Sequence, residues 1–208
     1  MTNTGNLGLA AGIILIVVIL LAAVAGSEII QTTQNVSSQD LTGITNDALD
    51  EITTYLQIKN VVGKYETIQG QTGIHRIALL IKPLVSIHLD INKITLMITK
   101  GDDLRILSFS GQVAPIKSFS LFNHPLWDSL NESTFGFLTT IDDDNSMTNS
   151  SLINKNTDMG FILVTLPETD PLLYDQSLQI TFVPAPGNEC SVTLEAPLPT
   201  TSVVSLYG

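Results

Sequence analysis

The carboxylates at 142–145, Asp142-Asp143-Asp144-Asn145, form the densest group in the chain that could do chemistry. Clustered oxygen ligands of this kind suit a hard cation such as Ca²⁺. The run lacks the spacing of a calcium loop, so its simplest reading is a solvated acidic stretch, with a structural cation near Asp142–Asp144 as the alternative. His75, His88 and His124 are widely separated, and none stands in a metal-ligand spacing. His88 falls on the polar side of an alternating run and reads as a surface residue. Cys190 is the only cysteine, so no intrachain disulfide can form, and an inert thiol is the expectation. No nucleophile elbow, phosphate-binding loop or dinucleotide fingerprint occurs. We expect no enzyme activity and no cofactor. Three glycosylation sequons are present, at Asn35, Asn131 and Asn149.

The elements carrying these residues differ sharply along the chain. Residues 1–27 hold no charged side chain, and residues 9–25 read LAAGIILIVVILLAAVA. At 1.5 Å per residue, a helix over residues 7–26 would be roughly 30 Å long, enough to cross a hydrocarbon core. Such a rod must sit in a bilayer or be buried by other copies of itself. The first basic residue is Lys59, so the run lacks the basic flank of a signal peptide or an oriented anchor. The expectation is a mature chain whose basic leader has been removed. Many rods packed together would bury aliphatic surface at roughly 25 cal/mol per Å². Leu9, Ile13, Ile16, Val17, Leu20 and Val24 are the residues expected to make that core. Open, head-to-tail contacts between copies would then give a filament.

A helical period continues beyond the rod through Leu41, Ile44, Ile52 and Tyr55. These four are expected to dock the helix on its own outer domain or on neighbours. Gly63 reads as the helix C-cap, which divides the chain into a helix at 1–63 and an outer domain at 64–208. From Ile74 onward the period becomes two: Ile87, Leu89 and Ile91, then Ile94, Leu96 and Ile98, alternate with polar residues. The LysGlyAspAsp at 100–103 predicts a hairpin turn, and further strands are expected at 104–109, 161–166, 178–183 and 191–194. Short strands with turn signals between them predict a β-sandwich. Residues 139–158 are polar and read as an outer loop. The fold class is therefore α+β, a long N-terminal hydrophobic helix followed by a β-sandwich.

The charge balance narrows the partners. Twenty acidic against nine basic residues give a formal charge of −11. That argues against nucleic acid, which requires clustered Lys and Arg. It suits an outer surface that stays soluble and repels non-specific contacts.

Several stretches together carry a family likeness. GLAAGIILIVVILLAAVAGSEIIQT at 8–32 resembles the core helix of archaellins, the filament subunits of the archaeal swimming organelle. LVSIHLDINKITLMI at 84–98 is similar to the family segment in which two alternating strands flank an Asx-containing step. The acidic stretch from Asp142, the FVPAPG at 182–187 and the chain end at 203–208 resemble the later archaellin segments. Bacterial type IV pilins usually carry Glu at the fifth mature position, where this chain has Gly5; archaellins commonly lack it.

The resemblance implies a type IV pilin-like helix and an immunoglobulin-like β-sandwich. It also implies leader removal by a prepilin-type peptidase and glycosylation of exposed asparagines. The subunits would form a homopolymer, with a second archaellin as a possible co-subunit, on a cell-surface filament turned by a motor and platform at its base. Before assembly the chain would lie in the cytoplasmic membrane. An archaeal adhesion pilin and a single-anchor surface binding module are the alternative readings. Ile16→Asp or Leu20→Lys should abolish assembly, because a buried unpaired charge costs several kcal/mol. Normal filaments from either variant under the electron microscope would sink the buried-core assignment.

Overall fold

The computed structural model describes residues 56–206, apart from Ser118 and Pro186. The first strand, β1 (Leu56–Ile68), pairs antiparallel with β2 (Gln71–Pro83) along nearly its whole length. The helix expected to end at Gly63 is thus corrected: residues 56–63 are strand, and the 63/64 boundary falls inside β1. The physical reason is local. Ile58, Val61 and Val62 are β-branched, and Val61, Gly63 and Tyr65 alternate into the interior with a period of two. Gly63 is required by packing rather than by a helix cap, since a Cβ there would lie 2.9 Å from both Ile74 and Leu206.

The chain then forms β3 (Leu89–Asp90), a 3-10 turn at Ile91–Lys93, β4 (Thr95–Lys100) and β5 (Asp103–Pro115). Ile87, Leu89 and Ile91 are all buried, as their alternation predicted, yet of the three only Leu89 lies in strand. Asp90 ends the strand by accepting a hydrogen bond from the Asn92 amide at 3.0 Å, which caps the turn. The predicted turn at 100–103 is present, with Lys100 paired to Asp103 and Gly101 at a φ of 59°.

After a long connection come β6 (Thr134–Ile141), a five-residue helix (Ser146–Ser150), β7 (Leu152–Ile153) and β8 (Met159–Thr165). The chain ends with β9 (Ser177–Val183), β10 (Cys190–Glu195) and β11 (Val203–Ser205). The polar stretch at 139–158 is therefore not simply an outer loop. It contains the end of β6, a helix and a strand, and it buries Met147, Ile153 and Asp158.

The outer domain is β-rich, as expected, but its hydrogen bonding does not divide into two sheets. Nine strands run unbroken in the order β10-β9-β4-β5-β6-β8-β2-β1-β11, and β3 pairs separately with β7. The sheet curls as a half-barrel around one apolar cluster that takes residues from both ends of the order, including Tyr65, Ile77, Leu96, Phe135, Ile180 and Leu194. β5 makes the curl possible. It is antiparallel to β4 up to Ser108 and parallel to β6 from Ser108 onward. A register shift between Phe109 and Val113, with Gly111 at a φ of 78°, bends the strand between these two pairings.

A parallel pair needs a crossover. Here the crossover contains 3-10 turns at Leu121–Asn123 and Pro125–Ser129, and it lies on the outer face of β6, β8 and β2. Phe122, Leu126 and Trp127 pack there against Ala78, Leu138 and Leu163. The Trp127 indole N–H donates to the Leu121 carbonyl at 2.9 Å, and Arg76 from β2 lies 5.5 Å over the Trp127 ring. Arg76 also donates to the Phe122 carbonyl at 3.1 Å. These strands are therefore buried on both faces, which accounts for apolar runs such as the FILV at 161–164. Gly160 permits the close packing, because a Cβ there would come within 2.4 Å of the Phe137 ring.

A charged clamp ties the β4–β5 hairpin to the segment after β8. The Lys100 ammonium donates to Asp170 and to the Pro171 carbonyl, and Arg105 joins Asp170 at 2.8 Å and Asp103 at 2.7 Å. Burial pushes the Asp170 carboxyl up, but Lys100 and Arg105 outweigh it and hold it below the usual carboxylate value. A depressed folded value means the stabilisation is fully present above the unfolded carboxylate range, about pH 4, and fades as the pH falls through the folded value. Asp170→Asn should lower the thermal midpoint of the detergent-solubilised full chain by about 2–4 °C at pH 7, with the gap closing as the pH falls through the depressed folded value. Equal midpoints at pH 7 would remove the clamp as a stabilising contact.

Candidate functional site

The acidic residues singled out in the sequence are partly assembled by the fold. One carboxylate oxygen each from Asp142, Asp144 and Asp158 lies within 4.8 Å of the other two. Asp143, although adjacent in sequence, is not one of the three. Asp158 joins from beyond the Ser146–Ser150 helix and β7, where the chain turns back and its amide donates to the Lys155 carbonyl at 3.1 Å. No spacing rule pointed to Asp158.

Each carboxylate is positioned by backbone donors. Asp142 accepts from the amides of Met147 at 3.3 Å and Thr148 at 3.0 Å, and from the Thr148 hydroxyl at 2.8 Å. These bonds hold the start of the short helix. Asp144 accepts from the Ser146 amide at 3.2 Å, the Asn154 side-chain amide at 3.0 Å and the Lys155 ammonium at 3.0 Å. The Asn154 contact first, then Lys155, holds the Asp144 carboxyl well below its usual value, and Asp144 in turn raises Lys155. Asp158 is 1% exposed, and its Oδ2 accepts from the amides of Asn154 and Lys155, both at 2.9 Å.

The other side of the arrangement is unsatisfied. Asp158 Oδ1, Asn154 Oδ1 and Ser146 Oγ are buried without a hydrogen-bond partner among the described residues. Leaving a buried carboxylate oxygen unpaired is costly. Three carboxylates against the single Lys155 ammonium leave an excess of two negative charges. Oxygen donors with that excess fit a hard divalent cation of the calcium type.

The other sequence candidates fall apart spatially or chemically. His88 is exposed, as expected. His75 is buried as the extra residue of the bulge between Lys64 and Tyr65, and burial pushes its pKa down despite Glu66 and Glu168. His124 is buried and caps a turn, its Nδ1 accepting from the Leu126 amide at 3.1 Å. Burial pushes the Cys190 thiol up, away from the reactive thiolate. Asn131 and Asn149 are both exposed, and Asn131 sits in a turn whose Ser133 amide donates to its Oδ1 at 2.9 Å. Leu9, Ile13, Ile16, Val17, Leu20 and Val24 lie outside the described residues. So do Leu41, Ile44, Ile52, Tyr55 and the sequon at Asn35.

A family model described as Archaeal-type flagellin matches residues 5–194, nearly the whole chain. The chain belongs to the archaeal-type flagellin family. The archaellin likeness of its sequence is thereby shown. Flagellin B3 of Methanocaldococcus jannaschii is 26% identical over 153 residues, 72% of this chain and 69% of that protein. The crystal structure of archaeal flagellin FlaB1 from Methanocaldococcus jannaschii superposes with a TM-score of 0.65 at 22% identity, over 73% of this chain and 95% of the other. The archaeal flagellum of Methanospirillum hungatei strain JF1 gives a TM-score of 0.54 at 16% identity, over 91% of this chain and 93% of the other. At these identities the structural matches speak for the fold alone. They place this archaeal-type flagellin's β-rich domain in the fold of solved flagellins.

The acid site yields a direct test on the full-length flagellin. With Ca²⁺ at about one hundred times its dissociation constant, binding should stabilise the fold by about 2.7 kcal/mol. That corresponds to roughly 5–10 °C in thermal midpoint. Asp158→Asn should erase the calcium-dependent rise while leaving the metal-free midpoint within about 3 °C. A midpoint indifferent to both Ca²⁺ and EDTA in the unsubstituted chain would eliminate the site.

Proposed function

We infer that this flagellin is a structural subunit of the archaellum filament, polymerising through its N-terminal segment to build a rotating swimming filament. The observation that carries the reading is the family match across residues 5–194, which takes in the uncharged apolar rod and the β-domain together. In this reading the rod at residues 7–26 is a type IV pilin-like helix, so the whole chain is α+β. Leu9, Ile13, Ile16, Val17, Leu20 and Val24 interlock with the same residues of neighbouring copies. Leu41, Ile44, Ile52 and Tyr55 dock the helix on a β-domain. The mechanism is mechanical rather than catalytic, with packed helices transmitting torque along the filament.

The same reading orders the life of the subunit. The apolar rod would hold the chain in the cytoplasmic membrane before assembly, since no other environment hides so much aliphatic surface. On assembly the copies replace the lipid, and the acidic β-domain, glycosylated at the exposed Asn131 and Asn149, faces the medium. A motor and platform at the filament base would supply the energy, with a second archaellin as co-subunit. A cation held by Asp142, Asp144 and Asp158 would stiffen the segment between β6 and β8.

An adhesion pilin would share the helix, and a single-anchor module would share the apolar rod, but neither is favoured by the family match. A clean deletion strain separates the three. Loss of both surface filaments and swimming, restored by the gene in trans, is the expected result. Swimming retained while surface filaments disappear would reassign the chain to adhesion. Detergent release of monomers, with no filaments released by shearing, would reassign it to a membrane-anchored module.

A further inference from the structure

The two halves of the curled sheet differ on their outer faces. The crossover covers β6, β8, β2 and the end of β5, where Ala114 packs on its cluster and Gln112 accepts from the Ser129 hydroxyl at 2.8 Å, whereas no described residue covers the outward face of β10, β9, β4 and the first half of β5. Register fixes what that face presents. Ile106, Met97 and Thr181 lie in one row across β5, β4 and β9, and Leu104, Thr99 and Gln179 lie in the next. β10 extends these rows with Ser191 and Thr193. Leu104 is 52% and Ile106 61% exposed. Glu195, at the rim, is the only charged residue among the outward side chains of these four strands.

We propose that this face is a contact between neighbouring subunits of the filament, seated against a second copy of this chain. The proposal rests on the filament reading above. Charge is the first support. The subunit carries a net charge of −11, and like charges brought face to face oppose association. A sheet face whose only charge is Glu195 at its rim lets two such copies close with little of that penalty. Its exposed Leu104 and Ile106, flanked by Met97, supply apolar area that water would otherwise solvate.

Size is the second support, and it selects a polymer over a free dimer. Four strands about 4.8 Å apart and about 20 Å long span roughly 400 Å². A stable pairwise interface needs about 800 Å² per partner. The face is therefore too small to hold two separate β-domains together. It is sufficient where other contacts already tether the copies and raise their effective concentration. Filament symmetry adds direction. Subunits that all point one way cannot meet through identical patches, so this face meets a different surface of the next copy.

Thiol accessibility in the full-length chain tests the assignment. With the native thiol removed by Cys190→Ala, an Ile106→Cys substitution places one thiol on the face. Maleimide should label it readily in detergent-dispersed subunits and at least tenfold more slowly in filaments diluted until electron microscopy shows them single. Equal rates in the two states would overturn the proposal. So would protection that appears only when filaments bundle, because the covering surface would then belong to another filament. Ile106→Asp supplies a second measurement: the subunit should fold and accumulate in the membrane yet yield few or no filaments, and normal filaments would likewise overturn the contact. Absence of filaments from the unsubstituted chain would fell the filament reading itself, whereas intact filaments with an unprotected thiol remove this face alone.

Discussion

The pairing of β5 with two neighbours in opposite senses constrains everything else in the domain. Up to Ser108 the strand runs antiparallel to β4, and from Ser108 onward it runs parallel to β6. An antiparallel partner can be reached through the two-residue turn at Gly101 and Asp102, but a parallel partner cannot. The chain must travel back along the outside of the sheet before β6 can begin. That journey must bury its own apolar residues somewhere, and Phe122, Leu126 and Trp127 do so on β2, β6 and β8. The bend at Gly111 then brings the β10-β9-β4 half and the β8-β2-β1 half around a shared core. The Lys100–Asp170–Arg105 clamp holds the closing edge of that core.

This arrangement makes the molecule asymmetric in a way that suits a subunit. One half of the sheet spends its outer face on the crossover and is sealed within its own chain. The other half keeps an outer face that is nearly free of charge. A protein destined to remain alone and strongly acidic gains little by leaving such a face bare, whereas one that joins copies of itself needs surfaces where repulsion is low. Most of the negative charge is carried elsewhere: of the eleven acidic residues between residues 118 and 208, only Glu195 lies on that face. Solubility and association are thus served by different regions of one small domain.

The acid site follows from the same economy of connections. The segment between β6 and β8 is too polar to find a core of its own, so it is held by local donors. Backbone amides of Met147, Thr148, Asn154 and Lys155 satisfy one side of Asp142 and Asp158. The oxygens left over at Asp158, Asn154 and Ser146 face a deficit of positive charge that Lys155 only partly relieves. A bound divalent ion would complete this segment much as the crossover completes the sheet above it.

Periodicity and composition made a good part of this legible. The alternation over 87–98 named the buried residues correctly, the turn at 100–103 was read from its Gly and Asp, and the strands at 161–166, 178–183 and 191–194 lie within two residues of β8, β9 and β10. These features are local, set by side-chain alternation and turn chemistry, and a single chain displays them directly. The early reach of β1 was not legible, because the helical spacing of Ile52, Tyr55 and Leu56 overlaps the strand pattern that follows; only the long pairing with β2 selects strand. β6 was missed for a related reason, since burial on both faces removes the alternation that marks a strand. The sequence by itself determined the apolar rod, the acidic charge balance, the impossibility of an intrachain disulfide and the family likeness, all properties of residue type and order. Only the tertiary structure decided that Asp158 rather than Asp143 completes the acid cluster, that nine strands form one curled sheet, and which face of it stays bare. Those outcomes depend on strand register and on a crossover between residues far apart in the chain, and long-range pairing leaves no mark in local pattern.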